Sequence, residues 1–444
     1  MLLKGKASIR GSIKPPGDKS ISHRVAMLAS IAEGSSSIEG FAASHDCWST
    51  VDCLRRLNIN IEQKADKLLI HGQGLGGYRP ANNPVTLDAG NSGSTIRMLS
   101  GLLAAQPFTS VIDGDASLRQ RPMARILDPL TQMGARIEAR ADNFAPLKIT
   151  GGRLSPITYA NRNASAQVKT CVLFAGLYAE GQTFIKEPAQ SRNHTELMLK
   201  EFGARIEPVA DDSAICWKIE GGAELKPVEY TVPGDISSAA FFVAAATILP
   251  NSEILIRNVN LNPTRAAFLD VLERLGAKIQ KESPAIRHGE PVGDIRVTTS
   301  ELDTGGESLI LSGEIIANLI DEVPILAVVG SQTRGRIIVR GAKELRVKES
   351  DRIRTVVDGL RALGGVIEEF EDGFSISGPQ QLRGGIVETA GDHRISMAFS
   401  VAALAAQGET RILDAECAAV SFPAFFENLS SITPEGSVID QGEQ

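Results

Sequence analysis

Apolar residues gather into six helix-length segments, each opening on small polar or charged residues. They are SISHRVAMLAS from Ser20, NSGSTIRMLSGLLAA from Asn91, SAQVKTCVLFAGL from Ser165, DISSAAFFVAAATIL from Asp235, DEVPILAVVG from Asp321 and DHRISMAFSVAAL from Asp392. Their starts lie 71, 74, 70, 86 and 71 residues apart. Between them recurs an amphipathic segment that ends in a leucine-glycine-like phrase and a short strand: LRRLNINIE from Leu54, LTQMGARIE from Leu130, LKEFGARIE from Leu199, LERLGAKIQ from Leu272 and LRALGGVIE from Leu360. A period near seventy predicts a folding unit larger than a solenoid turn and smaller than an ordinary domain, so that the units share cores. Segments such as TSVIDG, TFIKEP, EILIRNV, RIIVRGA and TRILDAE alternate β-branched and polar residues and read as strands. Helices between strands predict an α/β class rather than an all-β sandwich.

Two phrases punctuate the repeat, PPGDKS from Pro15 and VPGDIS from Val232. Each sets a stiff bend and a permissive residue directly before an aspartate and a repeat helix. About three repeats lie between them and three follow. The last repeat ends in a helix-like SFPAFFENLSSI with no strand expected after it, so the N-terminal strand KGKASIRGSIK is expected to close the C-terminal half. This predicts a continuous domain over 19–231 and a discontinuous one of 1–18 plus 232–444, with hinges near 15–19 and 232–236. Longer loops are expected at Gly72 to Asn83 and Glu282 to Gly293.

Composition narrows the function. The chain has 444 residues, 43% hydrophobic and 22% charged, as in an ordinary soluble globular protein. A net charge of −7 argues against nucleic acid as the main partner. The N-terminus MLLKGKASIR lacks the apolar run of a signal peptide, and the apolar stretch from Ala239 to Leu249 is too short for a membrane span, so a cytoplasmic protein is expected. Cys47, Cys53, Cys171, Cys216 and Cys417 are odd in number and form no C-x-x-C pair, which predicts reduced thiols rather than a disulfide framework or zinc site. A monomer is the default.

The polar openings carry the candidate chemistry. A helix start leaves its first N–H groups unpaired and its dipole positive, so these ends suit a small, multiply anionic ligand. The first opening supplies Lys19, Ser20 and Arg24; AGNSGSTIR supplies Asn91, Gly93 and Ser94 beside Arg97. SLRQRPM adds Arg119 and Arg121, SAQVK adds Ser165, Gln167 and Lys169, and SRNHTE adds Arg192 and His194. In the C-terminal half LIDEVP holds Asp321 and Glu322, LRVKESDRIR holds Lys348, Glu349, Asp351 and Arg352, and GDHR holds Asp392, His393 and Arg394. Cations interleaved with carboxylates suit a site that binds anions while moving protons. Any one motif reads equally well as a capped helix or a solvated ion pair; their recurrence at one phase of the repeat favours a site. No H-E-x-x-H, Cys/His cluster, calcium loop or strand-coupled G-x-G-x-x-G occurs, so neither a metal nor a nucleotide cofactor is expected.

In order along the chain, GDKSISHR, GNSGSTIR, the RP at Arg121, SAQVK, RNHTE, NPTR at Asn262 to Arg265, LIDE, KESDR and GDHR resemble the 5-enolpyruvylshikimate-3-phosphate synthase family, in its class II-like branch. The resemblance spans essentially the whole chain. It implies a two-domain inside-out α/β barrel of the enolpyruvyl transferase type, with three βαβαββ units per domain, two crossover strands, and a site in the cleft between the domains. It also implies transfer of the enolpyruvyl group of phosphoenolpyruvate to the 5-hydroxyl of shikimate 3-phosphate, in a glyphosate target of aromatic amino-acid biosynthesis. Carried over by motif, Lys19, Ser20, Arg24, Ser165, Ala166, Gln167, Arg192, Asp321 and Lys348 would hold shikimate 3-phosphate. Lys19, Asn91, Gly93, Arg121, Gln167, Arg352 and Arg394 would hold phosphoenolpyruvate. Asp321, Glu349 and Lys19 would be catalytic, Asp321 taking the hydroxyl proton. Two positions depart from the pattern: Ala166 stands where many relatives have a second serine, and Val420 where many have a lysine. The alternatives are UDP-N-acetylglucosamine enolpyruvyl transferase, which usually presents a reactive cysteine where this chain has DGDASLRQR, and a non-catalytic anion-binding scaffold, to which buried carboxylates bring no gain.

Overall fold

In a computed structural model, which describes residues 1–211 and 214–440, the chain divides into two units. One comprises Met1–Pro16, Pro233–Ile286 and Pro291–Gln444, the other Gly17–Val232 and Arg287–Glu290. The expected domain ranges include 212–213 and 441–444, which lie outside the described residues.

The six apolar segments are the helices Lys19–Ser30, Gly93–Leu103 and Ala166–Gly176 in one unit and Ile236–Ile248, Val323–Gln332 and His393–Ala405 in the other. A helix that is apolar all round has no outward face and belongs in a core. Ile236 through Thr247 are accordingly buried on every side, and Phe241 and Phe242 meet the ring of Phe425. Each such side chain contributes about 1.5–3 kcal/mol of burial. Where two central helices approach most closely, small residues permit it. A methyl built on Gly101 would lie 2.2 Å from the carbonyl oxygen of Cys171, so no larger residue fits without separating the helices.

Four-stranded sheets, six among the described residues, surround these helices, three in each unit, and share one wiring. Val85–Asp88 runs parallel to Thr109–Asp113, which pairs antiparallel with Phe144–Thr150, which pairs antiparallel with Arg136–Arg140. Leu309–Leu311, Gly335–Val339, Gly373–Gly378 and Ile367–Phe370 repeat it in the other unit. The amphipathic segments form the helices His45–Arg56, Ala124–Gln132, His194–Glu201, Ala267–Arg274 and Arg352–Ala362. Each is followed by a residue in the left-handed region: Asn58, Gly134, Gly203, Gly276 and Gly364, at φ from +67° to +98°. That conformation explains the leucine-glycine phrase, and asparagine, which tolerates it best after glycine, replaces glycine in the first repeat.

Several expectations need correction. The N-terminal strand is two strands in two sheets: Leu2–Lys4 pairs with Glu409–Leu413, and Arg10–Ile13 with Glu253–Asn260. A strand does follow the last helix, since Val438–Ile439 pairs with Leu2 and Leu3; two residues show no alternation. The segment expected as a loop at Glu282 to Gly293 lies within a hairpin of Lys278–Arg287 and Glu290–Thr298. The tip of that hairpin, Arg287–Glu290, groups with the other unit: Glu290 bonds His194 at 2.7 Å, and His288 bonds Glu201 at 2.9 Å and stacks on Tyr230. Gly17, Asp18 and Val232 group there too, because Asp18 caps the Lys19–Ser30 helix and the Val232 N–H bonds the carbonyl of Glu39. Among the described residues no helix is long and apolar enough to cross a membrane.

Candidate active site

Helix openings position the candidate residues, though by a different division of labour from the one the bare pattern suggests. Four of the six central helices carry a side-chain cap: Asp18, Ser92, Asp235 and Asp392 accept from the N–H groups of Ile21, Thr95, Ser237 and Arg394. The three aspartate caps fill the bonding position an anion would take and add negative charge, so those three ends are not general anion sites. The Ala166–Gly176 helix has no side-chain cap, and Ser165 stands at its opening. There the backbone dipole does face outward.

In the unit that includes Gly17–Val232, Arg24 lies beside that opening and is 3% exposed. Its guanidinium donates to Thr195 Oγ1 (2.8 Å), Thr170 Oγ1 (3.0 Å) and the carbonyls of Ser20 (2.8 Å) and Ala166 (3.5 Å). Burial and, next, the Arg192 charge lower its pKa to about 10. A cation weakened by burial and by a neighbouring cation is prepared for an anion. Gln167 joins two other motifs: its Oε1 accepts from Arg97 at 2.9 Å and its Nε2 donates to Ser94 at 3.0 Å. Arg121, 7% exposed, donates to Asn91 Oδ1 and Ser117 Oγ. A methyl built on Gly93 would lie 2.8 Å from Arg97 Nη1 and 3.4 Å from Arg121 Nη1, so Gly93 leaves room for both guanidiniums. Lys19 Nζ pairs with Asp46 at 3.0 Å. This gathers Ser165, Ala166, Gln167, Arg192, Arg24 and Ser20 around one helix opening and Asn91, Gly93, Arg97 and Arg121 around the next.

Other cations from the same motifs have structural partners. Lys169 is wholly buried and lies 2.7 Å from Glu187 Oε2 and 2.7 Å from Glu196 Oε1. Inward alternation along Gln182–Glu187 places Glu187 there. Arg119 pairs with Asp113 on the surface. His23 bonds Thr50 Oγ1 at 2.7 Å, and burial lowers its pKa to about 3, so the ring is neutral.

In the other unit the cations meet carboxylates. Asp321 sits in the turn before Val323–Gln332, not on the helix; its carboxylate lies 3.9 Å from Arg265, 3.8 Å from Arg352 and 3.9 Å from Arg394. Arg394 Nη1 also donates to the Asp321 carbonyl at 2.9 Å. Arg352, 2% exposed, grips Asp392 through Nε (2.8 Å) and Nη2 (3.2 Å) and pairs with Glu349 at 2.6 Å. Burial opposes the Asp392 charge, yet its pKa is lowered because Arg352 outweighs that cost. Glu322 shows the reverse: burial raises its pKa in spite of Arg265 and Arg394. Lys348 pairs with Glu344 at 3.0 Å, and Val420 ends the short Ala415–Val420 turn, half-buried. Arg265 belongs to this cluster, although sequence reasoning gave NPTR no role; its arginine in an otherwise polar turn was the available signal. Among the described residues no histidine, cysteine and carboxylate group could hold a metal ion.

The family model for EPSP synthase (3-phosphoshikimate 1-carboxyvinyltransferase) matches residues 3–429. A 3-phosphoshikimate 1-carboxyvinyltransferase of Solibacter usitatus (strain Ellin6076) is 51% identical over 427 residues, 96% of this chain and 98% of the relative. A solved EPSP synthase from Acinetobacter baumannii superposes with a TM-score of 0.83 at 40% identity, covering 97% of both chains. The enolpyruvyl transferase NikO from Streptomyces tendae shares the fold, with a TM-score of 0.76 at 17% identity over 97% of this chain and 96% of that one. With residues 3–429 matched by the family model and a relative 51% identical over 96% of its length, the chain belongs to the EPSP synthase (3-phosphoshikimate 1-carboxyvinyltransferase) family.

Proposed function

We propose that the chain transfers the carboxyvinyl (enolpyruvyl) group of phosphoenolpyruvate to the 5-hydroxyl of shikimate 3-phosphate, releasing phosphate, in aromatic amino-acid biosynthesis. The observation that carries this reading is Asp321 with three guanidiniums at 3.8–3.9 Å. Such cations keep a carboxylate ionised as a base, and an anionic donor needs the same charges. A proton added at the donor methylene makes C2 electrophilic. The acceptor hydroxyl oxygen adds to C2 as Asp321 takes its proton, which gives a tetrahedral intermediate. Loss of a methyl proton then restores the double bond and expels phosphate, with Glu349 and Lys19 handling these transfers. Arg121, Arg352 and Arg394, with Lys19, Asn91, Gly93 and Gln167, hold the donor; Ser20, Arg24, Ser165, Ala166, Gln167, Arg192 and Lys348, with Lys19 and Asp321, hold the acceptor.

Phosphate release from phosphoenolpyruvate, measured with shikimate 3-phosphate or UDP-N-acetylglucosamine, tests the assignment. Release is expected with the first acceptor, and release with the sugar nucleotide alone would overturn it. The chain works as a monomer in the cytoplasm; a dimer in sedimentation equilibrium would overturn the monomer.

A further inference from the structure

We infer that Arg265 is a positioning residue that fixes the Asp321 carboxylate and keeps it ionised while the other two guanidiniums turn to substrate. The inference deepens the proposed reaction and rests on it. Three arginines surround Asp321, and they are not equivalent. Arg394 extends from the first turn of its helix, and Arg352 is committed to Asp392 and Glu349. In the proposed reaction both also hold the donor, so their charge is shared with an anion during turnover. Arg265 is assigned no ligand.

Its surroundings hold it in one place. Arg265 is 2% exposed; it donates through Nη2 to Ser237 Oγ, which in turn donates to Glu322 Oε1. Nη2 lies 3.7 Å from Asp235, while Nη1 lies 3.7 Å from Glu322 and 3.9 Å from Asp321. The arginine backbone is fixed too, because its N–H bonds the carbonyl of Asn262, whose side chain accepts from Thr264. A planar guanidinium with this many fixed partners is a rigid positive charge, unlike a lysine on a flexible stem. Glu322 is the second reason a dedicated cation is needed. It neighbours Asp321 in the chain, is 2% exposed, and raises the cost of ionising a second carboxylate beside it. Among the described residues the charged groups facing Asp321 include Arg265, Arg352, Arg394 and Glu322, with Asp235, Glu349 and Asp392 behind the arginines.

The sign of the effect follows. A base works deprotonated; removing a cation 3.9 Å away raises its pKa, and activity then fails at a higher pH on the acidic side. Steady-state kinetics of Arg265→Gln between about pH 3.5 and 9, with thermal unfolding as a control for folding, are expected to show kcat about 10–100-fold lower and KM for both substrates within about threefold of wild type, since the change falls on a proton-transfer group. The acidic limb of the kcat profile should move up by about 1 pH unit. Ser237→Ala, a small truncation that removes the hydroxyl joining Arg265 to Glu322, should move the limb in the same direction by less, and it keeps the test decisive if Arg265→Gln does not fold. An unmoved limb in the folded variants would overturn the inference, as would a raised KM with unchanged kcat. Wild-type enzyme without turnover on shikimate 3-phosphate would instead defeat the proposed reaction.

Discussion

Around Arg24, Arg97 and Arg121 the guanidiniums donate to hydroxyl, amide and carbonyl oxygens, whereas around Arg265, Arg352 and Arg394 they meet the carboxylates of Asp321, Glu322, Glu349 and Asp392. The two units share one sheet wiring, so the difference between the sets lies in their side chains. Neutral partners orient a cation without cancelling it, and the charge stays available to a phosphate or carboxylate. Carboxylate partners cancel much of the charge and in exchange supply groups that take and return protons. The first set of arginines is suited to holding anions, and the second set adds carboxylates suited to moving protons.

Lys169 offers the sharpest way to break that comparison, because it is a cation in the same unit as the first set yet meets two carboxylates. If its buried triad is purely structural, Lys169→Ala leaves Glu187 and Glu196 uncompensated and destabilises the fold by about 3–5 kcal/mol. Urea unfolding checks this; unchanged stability with lost turnover would move Lys169 into the site. Next in size, Asp321→Asn and Glu349→Gln should each lower kcat by at least about 100-fold while substrate affinity, read by calorimetry, stays near wild type. Near-normal turnover in either variant would remove that residue from proton transfer. In the anion-binding set the pattern should invert: Arg24→Gln is expected to raise the KM for shikimate 3-phosphate by about 10–100-fold, the worth of one charged hydrogen-bonding group, and to change kcat little. A kcat loss at constant KM would erase the distinction between the sets. The smallest effect is expected at Gly93, where an added methyl presses on Arg97 and Arg121 at the ends of flexible side chains. Gly93→Ala should weaken phosphoenolpyruvate by about 1 kcal/mol and leave the acceptor KM unchanged. Equal losses for both substrates would place Gly93 elsewhere.

Much of this was legible in the chain itself, and the reason is periodicity. The six central helices show as apolar runs because a helix buried on all sides tolerates no polar face. The amphipathic helices show by their ends, where only glycine or, at Asn58, asparagine suits a left-handed residue. Candidate residues such as Lys19, Gly93, Gln167 and Arg394 stand out because polar openings on apolar helices are conspicuous. Strand Val438–Ile439 escaped notice because two residues carry no alternation, and the hairpin tip Arg287–Glu290 because its partners, His194, Glu201 and Tyr230, lie far away in sequence.

What local sequence determined, then, is where the helices and strands lie and which residue types open each helix. Only the tertiary structure decided what each charge does. Lys169 and Gln167 stand two residues apart in one motif, yet the helical rotation turns Lys169 into the core against Glu187 and Glu196 and leaves Gln167 to bridge Arg97 and Ser94. Arg265 lies 56 residues before Asp321 and acquires its place only when the chain brings two repeats of one core together. An ion pair forms through space, and its strength depends on the burial around it, which no stretch of sequence contains.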